Sequence, residues 1–396
     1  MIRRVQVLVF TYELIPLYPV YALLFADAGM SAGQISVLFG IWSFVGFVLE
    51  VPSGALADRI PRRHLLVAGV LIRAGAFASW ILWPTFPGFA LGFVLWGAGG
   101  AASSGTWEAL VYDELTRYGT ADRYARFLGR AEALSAAGSL AGTALAAPLM
   151  ALGGYPLVGW TSVAVCLLAT ALASRLPVGH PPTSYADHGT IDANVDRTEG
   201  ADAEPGYLDT LRSGLREAVV NRRVGRVVLV VVLLSGVTAV EEYFGLLAAD
   251  LTSPAVLPLL LLLPTAGYTL GAEFGGRLGG IAPRRLAVTL TVGVVLVAAG
   301  ALIRHPLGFV ALGVGFGLVG FGIVVAGARL QETLTGPRAT VTSVANVGEE
   351  VVALAVFGAF GAAAGTVSLP LLTALAVVPL LVLTLRVPRW LPPAQK

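Results

Sequence analysis

Acidic residues lie inside long apolar stretches of this chain, where a charge is unfavourable. A charged side chain at the centre of a membrane helix costs about 2.5–3.5 kcal/mol, so it faces the protein interior or a partner. These acids are Glu13, Glu50, Glu108, Glu132, Glu241, Glu242, Glu273, Glu349 and Glu350. Arg73 is the only base expected at such a depth. The surplus carboxylates are therefore predicted to bind protons, a cationic ligand or arginines at the span ends such as Arg126, Arg130 and Arg338.

The composition indicates which elements hold these acids. Of the 396 residues, 56% are hydrophobic and 13% are charged, and the mean hydropathy is +0.79, which is typical of an integral membrane protein. A membrane-spanning helix needs about 20 mostly apolar residues. On this basis we predict twelve spans, at 5–26, 35–56, 65–83, 88–111, 127–150, 156–174, 226–247, 255–276, 286–303, 307–329, 342–364 and 367–385. The predicted fold class is an all-α membrane protein with twelve transmembrane helices.

The basic residues predict the orientation of the spans. Of the 26 lysines and arginines, 24 fall in connections on one side, among them Arg329 after the tenth span, while Arg304 lies in an opposite loop and Arg73 inside a span. Cytoplasmic loops carry the excess of positive charge. We therefore expect a multi-pass protein of the cell inner (plasma) membrane with both termini cytoplasmic.

The chain divides near its middle. Residues 177–206 combine prolines with a run of acids and have too few apolar residues to form a core. After them, Leu208, Leu211, Leu215 and Val219 recur at helical spacing, which predicts a helix on the cytoplasmic membrane surface. The predicted domains are an N-terminal six-helix half at 1–176, a cytoplasmic linker with a surface helix at 177–225, and a C-terminal six-helix half at 226–396.

A short motif occurs once in each half. "GALADRIPRR" begins at Gly54, and "GRLGGIAPRR" begins at Gly276. In an ungapped alignment the glycine, the leucine, the proline and both arginines recur, and each copy follows the second span of its half. A duplicated six-helix unit explains this pattern, as in transporters that are built from internal repeats.

With this motif and topology, the sequence resembles the major facilitator superfamily. The resemblance implies two six-helix pseudo-repeats and transport by alternating access. It also implies a cytoplasmic gate at the first copy of the motif, where Asp58 lies near the start of the eleventh helix. The second copy has Gly280 in place of this aspartate.

The gate prediction extends to the residues around Asp58, namely Gly54, Arg59, Arg62 and Arg63. These arginines could pair across the interface between the halves in one state and release in another. For Arg62 and Arg63 a second interpretation stays open, because flanking positive charge is enough to orient a span.

The resemblance also implies that helices one, four, seven and ten line a central cavity. Polar residues at helical spacing agree with this for Ser235, Thr238 and Glu242, and further stripes are Ser104 with Glu108, Glu132 with Ser135 and Ser139, and Ser343 with Asn346 and Glu350. We therefore predict Glu13, Glu108 and Glu242 as cavity acids. Tyr12 and Tyr21 give Glu13 an aromatic setting suited to an organic ligand, although each tyrosine could equally anchor a helix at the interface.

Glu50 and Arg73 are predicted to form a buried ion pair. They fall at similar depth in the hairpin of the second and third spans. A buried pair neutralises two charges, neither of which is stable alone, so this pair is expected to be structural.

Competition between a proton and a cation for one carboxylate predicts a secondary active transporter, a proton-coupled exporter of a small amphipathic or cationic organic compound. The alternative is a proton-coupled symporter that imports a small metabolite. It stays open because Gly138, Gly142 and Ala147–Pro148 depart from the fifth-span motif of many drug–proton antiporters in the superfamily.

Other classes of protein have little support in the sequence. The histidines, His64, His180, His188 and His305, have no metal-ligand spacing, the single cysteine is Cys166, and no catalytic triad or phosphate loop is present. We therefore expect that the protein is not an enzyme and that it binds no metal, no cofactor and no nucleic acid. The expected partners are a small-molecule substrate, protons and the lipid bilayer, and the protein is expected to be a monomer.

Overall fold

The chain folds into a bundle of helices. The computed structural model describes residues 2–57, 60–103, 106–117, 124–177, 221–334 and 338–394. The helices of the N-terminal half, here residues up to 177, are α1 (Ile2–Glu13), α2 (Tyr21–Asp27), α3 (Ala32–Ala57), α4 (Arg62–Leu82), α5 (Phe86–Ser103), α6 (Thr106–Arg117) and α7 (Tyr124–Ala173). Those of the C-terminal half, from residue 221, are α8 (Arg222–Gly236), a 3-10 helix (Val237–Tyr243), α9 (Phe244–Ala249), α10 (Leu257–Arg277), α11 (Pro283–Leu302), α12 (Gly308–Thr333), α13 (Arg338–Ala363), α14 (Leu369–Val377) and α15 (Pro379–Trp390).

The helices are compatible with the twelve predicted spans. Within the described ranges, ten helices are long and apolar enough to cross a membrane. One of them, within α7, is 48 residues long and contains a break at Gly154, so it accounts for two predicted spans. The first predicted span corresponds to α1 and α2 together. The linker and its surface helix lie largely outside the described residues, and α8 already begins at Arg222, so the division into domains stays a prediction.

Two interruptions have a local cause. Between α1 and α2 lie Pro16 and Pro19, which lack the backbone N–H that a continuous helix needs. Within α7, Gly154 has φ 59° and ψ −156°, a conformation that glycine adopts without steric cost, and Pro156 follows it. The chain therefore reverses at Gly154 and returns as the next span.

Glycines allow helices of the C-terminal half to approach closely. A Cβ atom on Gly267 would collide with the carbonyl of Gly313 on α12, and one on Gly271 would collide with the carbonyl of Gly317. Small residues at four-residue spacing permit such backbone contact between membrane helices. The α10–α12 pair is thus held by van der Waals packing.

The two ends of the bundle differ. At one end, here called the linker end, the chain leaves at residue 177 and re-enters at residue 221. At the opposite end, the start of α3 meets the end of α13, where Gly33 lies against Ala364 and Gly361 against Ser36. The halves therefore touch at the end opposite the linker, which we call the sealed end.

Candidate functional site

A large cavity lies between the two halves. Its volume is about 670 Å³, and it runs from the middle of the bundle towards the linker end. It is bounded by α3 and α5 of the N-terminal half, and by α8, the 3-10 helix and α13 of the C-terminal half. Polar and charged lining residues are Ser43, Ser235, Thr238, Glu241, Glu242, Ser343, Asn346, Glu349 and Glu350, and the largest aromatic ones are Trp42, Phe47, Trp96 and Phe357.

One wall of the cavity carries four carboxylates. Glu241 and Glu242 are adjacent on the 3-10 helix, and Glu349 and Glu350 are adjacent on α13. Glu241 is exposed to the cavity, and the other three are partly buried. No arginine, lysine or histidine is present among the described lining residues. The acidic wall, as we call these four residues, therefore has no basic side chain among the described lining residues to balance its charge.

Two of these acids accept hydrogen bonds from the other half. The hydroxyl of Tyr21, on α2, donates to Glu242, and the hydroxyl of Ser43, on α3, donates to Glu350. Glu349 is hydrogen-bonded by Ser235 from its own half. A hydrogen bond to an ionised acceptor is about twice as strong as one between neutral groups. The charge on the acidic wall therefore affects how firmly the two halves are joined.

The facing wall is aromatic. Trp42 and Trp96 stack with ring centroids 4.9 Å apart, and Tyr18 stacks on Trp96 at 5.2 Å. Both tryptophans line the cavity and are partly buried. Aromatic rings present a negative face that attracts cations as well as apolar groups. We call Trp42 and Trp96 the tryptophan pair.

A layer of aromatic side chains closes the cavity at the sealed end. Tyr243 stacks on Phe360 with centroids 3.9 Å apart, and its hydroxyl is 2.8 Å from Ser36 Oγ across the interface. Phe39 packs against both Tyr243 and Phe357 at 5.5 Å. These contacts join both halves at the sealed end.

The predicted site residues fall into two groups. Ser235, Thr238 and Glu242 line the cavity, and Tyr21 contacts it through Glu242. Glu13, Tyr12 and Glu108 are not among its described lining residues. One carboxylate oxygen of Glu108 is buried and has no hydrogen-bond partner among the described residues. The cavity role of Glu13 and Glu108 stays a prediction.

Glu13 and Tyr12 belong to a buried cluster around Arg73. The Arg73 side chain, 2% exposed, donates to the Tyr12 carbonyl at 2.6 Å and to the Tyr18 hydroxyl at 3.1 Å. Its guanidinium also lies 3.5 Å from the Tyr12 ring centroid, and Glu13 interacts with it electrostatically. The Glu50 side chain lies outside the described part of the chain, so the predicted Glu50–Arg73 pair stays a prediction.

The predicted gate is only partly described. Asp58 and Arg59 lie outside the described residues, and Gly54 lies in α3. Arg62 forms an ion pair with Asp113 on α6, and Arg63 donates to the carbonyl of Leu176 at 3.3 Å. Both arginines therefore contact their own half in this state, and the predicted contact across the interface stays untested.

Arg73 is not the only deeply buried base, which corrects the expectation from sequence. Arg329, predicted in a loop, lies inside α12 and is 2% exposed. It pairs with Glu332 at 3.1 Å and donates to the carbonyl of Gly279, in the second motif copy, at 2.5 Å. The apolar run alone predicted that the tenth span ends at residue 329. Hydropathy does not include the hydrogen bonds that Arg329 donates to carbonyls of a neighbouring loop.

The sequence analysis did not assign Glu241, Glu349 and Glu350 to the cavity, nor Trp42 and Trp96. The stripe of Ser343, Asn346 and Glu350 was a usable signal for the first group. It was outweighed by the superfamily pattern of cavity helices. No sequence feature indicated a cavity role for the tryptophans, since an aromatic residue in an apolar span is usually interpreted as a packing residue.

Comparison with known proteins gives a consistent result. The sequence profile of the Major Facilitator Superfamily matches residues 7–367. An uncharacterised MFS-type transporter of Mycobacterium tuberculosis, Rv2456c, is 31% identical over 178 residues, which are 44% of this chain and 41% of that protein. The multidrug resistance protein MdtH of Cronobacter sakazakii is 32% identical over 102 residues, 24% of each chain. The chain thus matches less than half the length of these curated relatives.

Solved structures show the same fold over the full length. The nucleoside transporter NupG has a TM-score of 0.73 at 12% identity and covers 98% of both chains. The fucose:proton symporter FucP of E. coli has a TM-score of 0.57 at 16% identity and covers 100% of this chain and 98% of its own. Such identities establish the fold alone. The profile match over most of the chain goes further, and this multi-pass membrane protein belongs to the Major Facilitator Superfamily of transporters, which are not enzymes.

Proposed function

We propose that the protein is a proton-coupled exporter of a small amphipathic organic cation that works by alternating access. The observation that carries this proposal is the acidic wall of Glu241, Glu242, Glu349 and Glu350, which faces the tryptophan pair across one cavity. A cation with an aromatic or apolar body matches both walls at once.

The acidic wall supports coupling to protons. Carboxylates in a membrane interior are unfavourable unless they are neutralised, and here the described lining offers no base. Protons or a bound cation must supply the missing charge. Because both compete for the same oxygens, an arriving cation releases protons and an arriving proton releases the cation.

The hydrogen bonds across the interface support a link between occupancy and conformation. Glu242 and Glu350 accept from Tyr21 and Ser43 of the other half. Protonation or cation binding changes the charge on these acceptors and weakens the bonds that join the halves. The sealed end opens when this contact and the aromatic layer are lost together.

The orientation follows from the arginines. The linker end carries most of the basic connections, so it faces the cytoplasm with both termini. The cavity is then open to the cytoplasm in this state, where an exporter loads its substrate. The protein acts as a monomer in the inner membrane, with halves at 1–176 and 226–396 joined by the 177–225 linker. The similarity to the multidrug resistance protein MdtH agrees with export.

The test is proton movement in proteoliposomes that contain a trapped pH dye. An aromatic quaternary ammonium compound, its neutral isostere, a nucleoside and a hexose are added outside. We expect only the cation to make the lumen alkaline, because cation entry drives proton exit. Glu242→Gln abolishes this signal. The matched control is Glu273→Gln, since Glu273 is an exposed span residue that pairs with Arg277 and does not line the cavity.

Two outcomes would contradict the proposal. A lumen that turns acidic with the nucleoside or the hexose identifies a symporter. An alkaline signal that survives in each of the variants Glu241→Gln, Glu242→Gln, Glu349→Gln and Glu350→Gln shows that the acidic wall does not carry the coupling.

A further inference from the structure

A second cavity lies at the linker end, far from the substrate cavity, and is lined by arginines. It is a groove of about 540 Å³ between the start of α11 and the end of α15. Its lining residues are Arg284, Leu385, Arg386, Pro388 and Arg389. We call it the arginine groove.

The three arginines of this groove have no acidic partner within the part of the chain that the structure describes. Arg284, Arg386 and Arg389 are all exposed, and no ion pair joins any of them to a described carboxylate. Elsewhere in the described chain, Arg62 pairs with Asp113 and Arg329 pairs with Glu332. The groove is therefore a concentration of uncompensated positive charge.

The backbone adds to this charge. Arg284 lies in the first turn of α11, directly after Pro283. The first N–H groups of a helix have no partner within the helix and carry a partial positive charge, which favours anions. Guanidinium groups bind phosphate oxygens through paired hydrogen bonds. The groove thus has the chemistry of a phosphate site.

The surroundings indicate where the phosphate comes from. Leu385 is 75% exposed, Val382 is 62% exposed and Val288 is 64% exposed, on the two helices that form the groove. Such side chains on a membrane helix contact lipid tails. Charged and apolar surfaces therefore meet at this point, as they do at the level of lipid headgroups.

We propose that the arginine groove binds the phosphate headgroup of an anionic phospholipid, whose acyl chains lie along Leu385, Val382 and Val288. Basic pockets between membrane helices on the cytoplasmic side are suited to such lipids. The positive-inside pattern explains why arginines occur at this end, but it does not explain why three of them line one groove. The proposal is independent of the transported substrate.

The test is native mass spectrometry of the full-length protein titrated with phosphatidylglycerol, phosphatidylcholine or inorganic phosphate. The groove variant is R284Q/R386Q/R389Q. The matched control is R222Q/R223Q/R285Q, which removes the same charge from exposed arginines outside the groove. At about 1 kcal/mol for each arginine, we expect the groove variant to bind phosphatidylglycerol on the order of 100-fold more weakly. The control should change by less than about threefold. If the triple variant does not fold, the single variant R386Q takes its place, and its affinity for phosphatidylglycerol is expected to fall roughly fivefold.

Three outcomes would overturn the proposal. Equal losses in both triple variants would show that only the total charge matters. Equal binding of phosphatidylcholine would show that the anionic headgroup is not recognised. Inorganic phosphate that displaces the lipid at equal concentration would show that the groove binds free phosphate.

Discussion

The two halves face the cavity with different chemistry although each carries a copy of the same sequence motif. The N-terminal half contributes the tryptophan pair, and the C-terminal half contributes the four acids. The two motif copies differ in the opposite sense, because the acid Asp58 lies in the N-terminal copy and Gly280 replaces it in the C-terminal copy. In the proposed function, the N-terminal half recognises the body of the cation and the C-terminal half holds the exchangeable charge.

Because the acids and the tryptophan pair lie on different halves, the contacts between the halves connect them. The acids of one half are bound by hydroxyls of the other, at Tyr21 and Ser43. A change of charge in the C-terminal half therefore acts on Tyr21 and Ser43 of the N-terminal half. Recognition and coupling can be altered independently, and the following predictions test that.

The largest effect is expected when the halves are fixed to each other. A Cβ on Gly33 would lie 3.6 Å from the Cβ of Ala364, within the range of about 3.5–4.5 Å for a disulfide. In a Cys166→Ser background, G33C/A364C should form a disulfide that keeps the sealed end shut and abolishes transport. Transport assays before and after reduction measure this, and each single cysteine variant is the control. Undiminished transport by the oxidised protein would contradict a seal that opens.

The second prediction concerns the stability contributed by the buried arginine of each half. Arg73 and Arg329 each bind a backbone carbonyl, and lysine cannot reproduce all the bonds of a guanidinium. Arg73→Lys and Arg329→Lys should each destabilise the protein by about 2 kcal/mol, the loss of one charge-assisted bond. Thermal melting in detergent should show a Tm lower by roughly 2–3 °C. Arg226→Lys, at an exposed position, should leave Tm unchanged.

Transport assays should distinguish the Arg73 variant from the Arg329 variant. Arg73 contacts Tyr18, which stacks on Trp96 of the cavity, whereas Arg329 contacts a loop at the linker end. We therefore expect Arg73→Lys to raise KM for the cation and Arg329→Lys to leave it unaltered. Equal KM values in both variants would show that the Arg73 cluster does not support the tryptophan pair.

The smallest effect is expected at the tryptophan pair itself. Trp96→Ala removes a stacking surface worth about 1.5 kcal/mol, so KM for an aromatic cation should rise roughly tenfold. The ratio of protons to cations should not change, because the acidic wall is intact. Paired measurements of cation uptake and pH in proteoliposomes give both values. Trp160→Ala, at a more exposed tryptophan outside the cavity, should have neither effect. A changed ratio in Trp96→Ala would mean that recognition and coupling are not separate.

The sequence predicts the spans better than the site. Hydropathy locates the helices, and prolines such as Pro16 and Pro19 indicate where one of them breaks. Helical spacing identified Ser235, Thr238 and Glu242 as one polar face. It could not bring Glu350 next to Ser43, because no sequence period sets the register between two halves that are separated by a linker. It also misplaced Arg329, whose burial depends on carbonyls some 50 residues earlier in the chain.

The 3-10 helix at Val237–Tyr243 gives the acidic wall a further property. It has seven residues and interrupts a span that is otherwise α-helical. A 3-10 helix rises about 2.0 Å per residue and an α-helix about 1.5 Å, and they turn by roughly 120° and 100° per residue. Rewinding these residues as α-helix would shorten the span by about 3.5 Å and rotate its two ends relative to each other by roughly 140°. Such a transition would therefore change both the depth of Glu241 and Glu242 in the membrane and the direction in which their side chains point.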